Sequence, residues 1–259
     1  MNRKHRPHRS LIAGLAALAV LATALVAVAG PAGAALQQAG KTARVVLGAD
    51  NDNGENTFIQ PAGVQARQHL ENADVMVGSR YGELLVGRKG SDVIDAGYGR
   101  DVLVGGLDKG SPNSDVLFGG WGNDYNIWAP GDGNDAYLGG PGVDVHINSA
   151  VEQANGEVAL FKALGRTVPR ALIDNQTASC SVEAVPAEQG LGFDYITRFL
   201  GANGNVIVTI RLKDVELLVC NSAKDNMARF AVLEGPAPQL VERPLSVVRG
   251  TLLGAILGA

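Results

Sequence analysis

The chain has 259 residues, with 22 Lys+Arg against 26 Asp+Glu, 34 glycines and two cysteines. Its first 34 residues hold four Lys or Arg and no acid, so the 225 that follow carry 18 basic against 26 acidic residues, a charge near −8. Such an acidic chain is a poor nucleic-acid binder and a good cation binder, and 225 residues make one elongated domain or two small ones.

The N-terminus reads as an export signal. Arg3, Lys4, Arg6 and Arg9 form a basic start, "LIAGLAALAVLATALVAVAG" is an apolar run, and "AGA" at 32–34 is a small-residue cleavage site. A retained membrane anchor is the alternative, because the run is long for a signal. No twin-arginine pair is present, which favours a general secretion route. Export predicts one disulfide between Cys180 and Cys220, with two buried thiols as the alternative. Their spacing of 40 fits no zinc pattern.

Past the signal, "ARVVLG" predicts a first strand, and "DNDNGEN" at 50–56 is either a cation loop or an Asx-rich turn. A nine-residue repeat then takes over. The acids ending successive Gly-rich phrases are Asp74, Glu83, Asp92, Asp101, Asp115, Asp124, Asp135 and Asp144, at steps of 9, 9, 9, 14, 9, 11 and 9. The two long steps are insertions, "DKGSP" at 108–112 and two residues near Trp128; upstream, Asn56 lies 18 before Asp74. The phrases repeat too: "GRKGSDVID", "AGYGRDVLV", "GGWGNDYNI", "PGDGNDAYL" and "GGPGVDVHI". A large apolar residue follows most acids by two places (Met76, Leu85, Ile94, Leu103, Leu117, Tyr137), while Asn126 and His146 break the rule.

Three residues with one central apolar side chain make a minimal strand, because side chains alternate between faces. Six Gly-rich residues then reverse the chain through conformations that side chains obstruct. Two nonapeptides complete a coil, and coils bury their apolar residues only by stacking. Residues 18 apart share an edge, so Asp74, Asp92, Asp115 and Asp135 fall on one and Glu83, Asp101, Asp124 and Asp144 on the other. Stacked carboxylates repel unless a cation lies between them. An oxygen-only set of carboxylates and turn carbonyls suits calcium, with magnesium second. The alternative is a solenoid with empty or partly lost sites, held by hydrogen bonds and core packing.

These phrases resemble the Gly-Gly-x-Gly-x-Asp-x-U-x nonapeptide of the RTX family of secreted calcium-binding β-roll proteins, over roughly residues 50–148. The resemblance implies ions between same-edge loops. One loop supplies its second and fourth carbonyls with its Asp, and the next supplies its first and third with its own. Gly97, Gly99 and Asp101 would then face Gly119, Trp121 and Asp124. Gly120, Gly122 and Asp124 would face Gly139, Pro141 and Asp144. On the other edge, Arg88, Gly90 and Asp92 would face Gly105, Leu107 and Asp115, and Asp115 would face Pro130, Asp132 and Asp135. Glu83 sits in a Gly-poor loop and the loop before Asp74 has no glycine, so both fall outside the ligand sets. The family usually leaves the cell by a transporter reading a C-terminal signal; here an N-terminal signal stands instead.

Beyond the repeat, "VEQANGEVALFKALG" within 150–186 predicts a cap on the open end. From 190, "FDYITRFL", "GANGN" and "VIVTIRLKDVELLVCN" read as strands about an Asn-Gly turn, with "ARFAVLEG" a further strand. They form either a small β-rich domain or a sheet continuing the solenoid. The tail "PLSVVRGTLLGAILGA" is too short to span a bilayer and reads as a docked helix, with a weak membrane or partner contact as the alternative.

The export signal aside, the histidines are His69 and His146, and no zinc-protease motif, nucleophile elbow, phosphate loop or dinucleotide fingerprint occurs. His146, at an inward position, reads as packing rather than as a base. The expectation is therefore an all-β, non-enzymatic, secreted protein. It comprises a signal (1–34), a calcium-binding parallel β-roll (35–148), a cap or transition (149–189) and a C-terminal β-rich or α+β region (190–259). An adhesin or matrix protein using the solenoid as a spacer, its partner bound through the C-terminal region, is the first alternative. A secreted hydrolase is the second.

Overall fold

The computed structural model describes residues 74–106, 114–128, 131–172, 179–186, 189, 192–201, 203–220 and 226–259, with the backbone of short strands at Arg44–Leu47, Phe58–Ile59 and Gln65–Ala66. The signal segment, the 50–56 segment and the 108–112 insertion lie outside the described residues.

The molecule is nearly all β, and residues 75–148 form about three turns of a parallel β-solenoid. Its coils put one strand in each of two sheets. The first sheet runs Arg44–Leu47, Glu83–Arg88, Val102–Gly106, Tyr125–Trp128 and Val145–Asn148. The second runs Phe58–Ile59, Val75–Ser79, Val93–Gly99, Val116–Phe118 and Ala136–Leu138. In the first, Leu84 pairs with Val102, Val102 with Tyr125 and Tyr125 with Val145; in the second, Val75 pairs with Val93, Val93 with Val116 and Val116 with Ala136. Coils of 18, 23 and 20 residues thus stack in one phase, the extra residues leaving the ladder in register. Further upstream Phe58 pairs with Val75, a spacing of 17, one short of two repeats.

Each acid+2 position points inward. Met76, Ile94, Leu117 and Tyr137 of one sheet meet Leu85 and Leu103 of the other, all fully buried. The two exceptions to the apolar rule are neighbours, Asn126 opposite His146. His146 Nδ1 lies 2.6 Å from Asn126 Oδ1 and Nε2 lies 3.1 Å from Asn148 Oδ1, while Asn148 Nδ2 donates to Thr197 Oγ1. Burial lowers the His146 pKa to about 4, so the ring is neutral. A neutral ring donates from only one nitrogen, so pairing both ring nitrogens requires the Asn126 side-chain amide in the reversed assignment, since Asn148 Nδ2 is engaged with Thr197. The polar break in the apolar column satisfies itself, which is why a buried sheet accommodates it.

The repeat ends at 148, but the solenoid does not. Val206–Lys213 adds to the second sheet in parallel, with Tyr137 opposite Leu212; Leu217–Cys220 adds to the first, with His146 opposite Leu218. Antiparallel strands then extend both sheets: Tyr195–Leu200 and Ser179–Ala184 on one, Met227–Val232 and Val241–Pro244 on the other. These strands therefore continue the solenoid and cover its open end. The 149–172 segment, placed at that end by the sequence reading, lies elsewhere. Its short hairpins pack Val151, Val168 and Ala171 against the outer face of the first sheet. That face is apolar (Leu84, Val86, Val102, Val104, Ile127, Val145, Ile147) because parallel strands covered on both sides bury every residue.

The apolar tail finishes the cover. A 3-10 turn at Leu245–Val248 leads into an α-helix, Leu252–Leu257, whose Leu252, Leu253, Ile256 and Leu257 join the same core. Thr251 Oγ1 accepts the Gly254 N–H at its start, and Gly258 takes the left-handed conformation (φ 72°) at its end. Among the described residues no helix is long and apolar enough to cross a membrane. Cys180 and Cys220 are joined as a disulfide, Cα atoms 6.1 Å apart, linking an edge strand of the second sheet to a strand of the first.

Glycine is required where the loops approach most closely. Gly122 has φ 147°, and a Cβ there would overlap the Gly99 carbonyl oxygen one coil below. Gly156, in an outer hairpin, also has positive φ (85°), but a Cβ there meets nothing within 4 Å. Gly156→Ala is expected to cost about 1–2 kcal/mol of strain, and Gly122→Ala about 3 kcal/mol or more, because overlap adds to strain. Urea denaturation of the two variants measures the difference; equal losses would mean that the loops are not in contact.

Candidate metal centre

The acids do not line the outside of the loops. Asp74, Glu83, Asp92, Asp101, Asp115, Asp124, Asp135 and Asp144 are all buried, at 2 % exposure or less. What turns them inward is a hydrogen bond repeated coil by coil. Asp124 Oδ1 accepts the N–H of Asp101 (2.7 Å), Asp144 Oδ1 accepts that of Asp124 (2.8 Å), and Asp101 Oδ1 accepts that of Glu83 (2.6 Å). On the other edge Asp92, Asp115 and Asp135 accept from Asp74, Asp92 and Asp115 at 2.7, 2.7 and 2.9 Å. Each edge thus carries a column of carboxylates, in the two groups that the nine-residue spacing predicts. Glu83 is one methylene longer and folds back to accept the Ser79 N–H of its own loop (2.6 Å).

One carboxylate oxygen per residue is consumed by the ladder. The second is not: Oδ2 of Asp101, of Asp124 and of Asp144 is buried and accepts no hydrogen bond among the described residues. A buried acceptor without a partner costs about 1–3 kcal/mol, more when charged. Glycines leave room beside these oxygens. A Cβ on Gly119 would come within 2.7 Å of the Gly139 carbonyl oxygen and 2.8 Å of Asp124 Oδ2. A Cβ on Gly87 would overlap Asp92 Oδ2 and the Gly105 carbonyl oxygen. Along the loops, the carbonyl oxygens of Gly97 and Gly99 take up the space that a Cβ on Gly120 and Gly122 would need, and those of Gly120 and Gly122 do the same at Gly140 and Gly142. The Pro141 carbonyl points the other way and accepts the Gly122 N–H at 3.1 Å. Second- and fourth-position carbonyls therefore face forward, and first- and third-position carbonyls face back, between the same loops that the repeat aligns.

Of the sequence-derived set, Gly97, Gly99, Gly119, Gly120, Gly122, Gly139, Pro141, Asp101, Asp124 and Asp144 come together on one edge. The Trp121 side chain stacks outward on Tyr98 (centroids 6.2 Å apart), leaving only its backbone in the loop stack. On the other edge a Cβ on Gly105 would overlap Asp115 Oδ2 and come within 3.0 Å of Asp132 Oδ1, and Gly90 holds its loop at φ 122°. Arg88 occupies the position where other loops carry glycine and takes φ 80° itself, its guanidinium 3.2 Å from Glu157. Leu107 and Pro130 lie outside the described residues.

Two acids exceed what the repeat predicts. Asp132, assigned only a carbonyl by the sequence, is fully buried, and its carboxylate lies within 4.8 Å of those of Asp115 and Asp135, a group able to hold a metal ion. Trp128 accounts for this. Its indole Nε1–H reaches the carbonyls of Asp132 (3.2 Å) and Gly133 (3.1 Å), and its ring packs on Phe199, anchoring the loop from inside. The second is Glu216, 72 residues beyond Asp144, whose Oε2 accepts the Asp144 N–H at 2.7 Å. The signal for it was present: an acid with an apolar residue two places on (Leu218), but without the glycines.

The columns are electrostatically strained as carboxylates. Burial, then the Asp124 charge, raises the Asp101 pKa from 3.8 to about 9. Burial raises Asp124 to about 7, against the Asp101 N–H and the nearby Arg100 and Arg166. Burial, with Asp124, Glu216 and Asp214 adding to it, raises Asp144 to about 8. Folding therefore favours the protonated form of each. In metal-free solution this contribution is complete below the unfolded value near 3.8 and is lost as pH rises through about 7 to 9. The denaturation midpoint of the metal-free protein should fall between pH 5 and pH 9.5; a flat or rising midpoint would contradict burial of these charges.

Among known proteins, no family model matches the chain, and no curated protein sequence matches it. The two carboxylate columns and their glycine cradles are what the molecule itself offers toward a function.

Proposed function

We propose that this is a secreted calcium-binding β-roll protein of RTX type, in which calcium ions between stacked Gly/Asp loops complete the fold after export. The observation that carries this reading is the row of buried Oδ2 atoms of Asp101, Asp124 and Asp144, which no donor among the described residues satisfies, beside glycines that leave room next to carbonyl oxygens. Oxygen-only sets with several carbonyls and flexible distances suit calcium; zinc and copper want nitrogen or sulfur, and magnesium holds its waters. Gly97, Gly99, Asp101, Asp124 and the carbonyls of Gly119 and Trp121 would hold one ion. Gly120, Gly122, Asp124 and Asp144, with the carbonyls of Gly139 and Pro141, would hold the next. Asp115, Asp132 and Asp135 would hold an ion on the other edge, with three carboxylates in place of two.

The ion supplies positive charge where folding has gathered negative charge, so folding and binding are one equilibrium. The apparent export signal and the disulfide agree with a calcium-rich, oxidising destination. A site filled at a hundred times its Kd stabilises the fold by about 2.7 kcal/mol. Circular dichroism melts with millimolar calcium and with chelator test this directly: calcium should raise Tm and β signal together, and no gain would sink the reading. Asp124 serves two of the proposed ions and Asp101 one. Asp124→Asn should therefore reduce the calcium-dependent Tm gain more than Asp101→Asn, both amides keeping an acceptor for the ladder N–H. Equal losses would count against the pairing of loops.

A further inference from the structure

Past the last repeat, the returning chain crosses from Lys213 to Leu217 above the loop 139–144. Lys213 pairs with Leu138 and its carbonyl accepts the Gly139 N–H (2.9 Å); Leu217 pairs with Val145 and its N–H reaches the Asp144 carbonyl (3.0 Å). The segment between them, Asp214–Glu216, contains no glycine and does not match the repeat. It nevertheless reproduces two of the repeat's contacts. Glu216 Oε2 accepts the Asp144 N–H, as Asp144 accepts that of Asp124. The Asp214 carbonyl bears on the Gly139 Cα, as the Gly139 carbonyl bears on Gly119. To do this Asp214 adopts φ 48°, the left-handed conformation that Arg88 also takes and that glycine holds in most of the loops. Its carboxylate is turned outward to Lys213 (3.7 Å), so only the backbone oxygen faces the loop below.

We infer that Asp144, Glu216 and the Asp214 carbonyl form a last divalent-cation site, built by a coil that lies outside the repeat. The inference rests on the calcium-binding reading above and adds a site to it. The sign of a ligand on this side is Asp144 Oδ2, fully buried and, among the described residues, without a hydrogen bond. A Cβ on Gly139 would lie 2.7 Å from it and would overlap the Asp214 carbonyl, so that oxygen and the carbonyl converge on one small space that only glycine leaves open. The carbonyls of Gly140 and Gly142 sit in the forward-facing positions of the same loop.

This site differs from those below it. Two residues (214 and 215) make the crossing that five (139–143) make in the loop beneath, so the far side lacks the middle of a loop. Glu216 is accordingly half-buried where Asp101, Asp124 and Asp144 are fully enclosed. Water completes the coordination there. A hard cation with fewer protein ligands and more water binds more weakly and exchanges faster, so this is the last site to fill and the first to empty.

Native mass spectrometry and calorimetry of the full disulfide-bonded protein with calcium chloride test the assignment. Glu216→Gln keeps an acceptor for the Asp144 N–H but removes the charge, so it should bind one ion fewer than wild type and lose the weakest phase of the titration. Glu234→Gln, the same change on the exposed surface, should keep the full count. An unchanged count and unchanged affinities in Glu216→Gln would overturn the site while leaving the solenoid ions intact. No calcium bound by wild type at all would overturn the parent reading instead. Amide NMR of wild type supplies a check independent of any variant. The N–H signals of 214–217 should move late in the titration, after those of 97–101 and 119–124; signals that stay still at saturation would overturn the site.

Discussion

The structure hangs on one bond, repeated: a buried aspartate accepts the main-chain N–H of the aspartate one coil earlier. That N–H lies just before a strand, where the ladder of the sheet has yet to begin and the donor would otherwise face a loop. The carboxylate satisfies it and sets the height of the next coil. The same bond fixes the other oxygen of the carboxylate. Because Oδ1 is tied to the coil below, Oδ2 must sit between loops, where side chains are absent and carbonyls crowd. The architecture therefore creates its own electrostatic problem. Satisfying the backbone requires charge inside, and charge inside requires either a proton or a cation.

That trade explains which substitutions the repeat accepts. An inward apolar residue can become Asn126 or His146 because each finds a partner in the neighbouring coil. A loop glycine can become Arg88 at the edge of the column, where its side chain leaves the stack toward Glu157. The acid is kept at every rung, even at Glu83 and Glu216, where its length changes what it reaches. Arg166 adds a partial answer to the charge: it comes from the outer hairpin, and its Nη2 donates to the Arg100 carbonyl at 2.6 Å, beside Asp101. The hairpin thus brings positive charge to the edge of a column as well as apolar cover to a sheet.

The nine-residue spacing made the solenoid, its two edges, the inward apolar positions and the grouping of acids legible in the sequence, because each follows from a period that survives two insertions. What it concealed depended on contacts that have no period. The sequence left open whether 206–220 continues the solenoid or forms a separate domain, because those strands return after an excursion and reach their places without glycine. Cover for the outer face of the first sheet came from the 149–172 hairpins and the tail helix, which local pattern alone could not dock. Asp132 was hidden for a different reason. Its position in the phrase ordinarily faces solvent, and only the indole of Trp128, added by the two-residue insertion, turns the loop about.

The return of the chain at 206–220 has a consequence for how the molecule comes into being. A solenoid built only of neighbouring repeats grows like a zipper, each coil waiting for little more than the one before. Here the final rung is 72 residues away from its acceptor, so its arrival is a long loop closure, and such closures are slow because entropy is lost before contacts repay it. The disulfide ties Cys220, the last residue of the returning strand, to Cys180, 40 residues earlier, which removes conformations worth about 4 kcal/mol from the open chain in the loop-entropy view. Oxidation thereby shortens the search for closure.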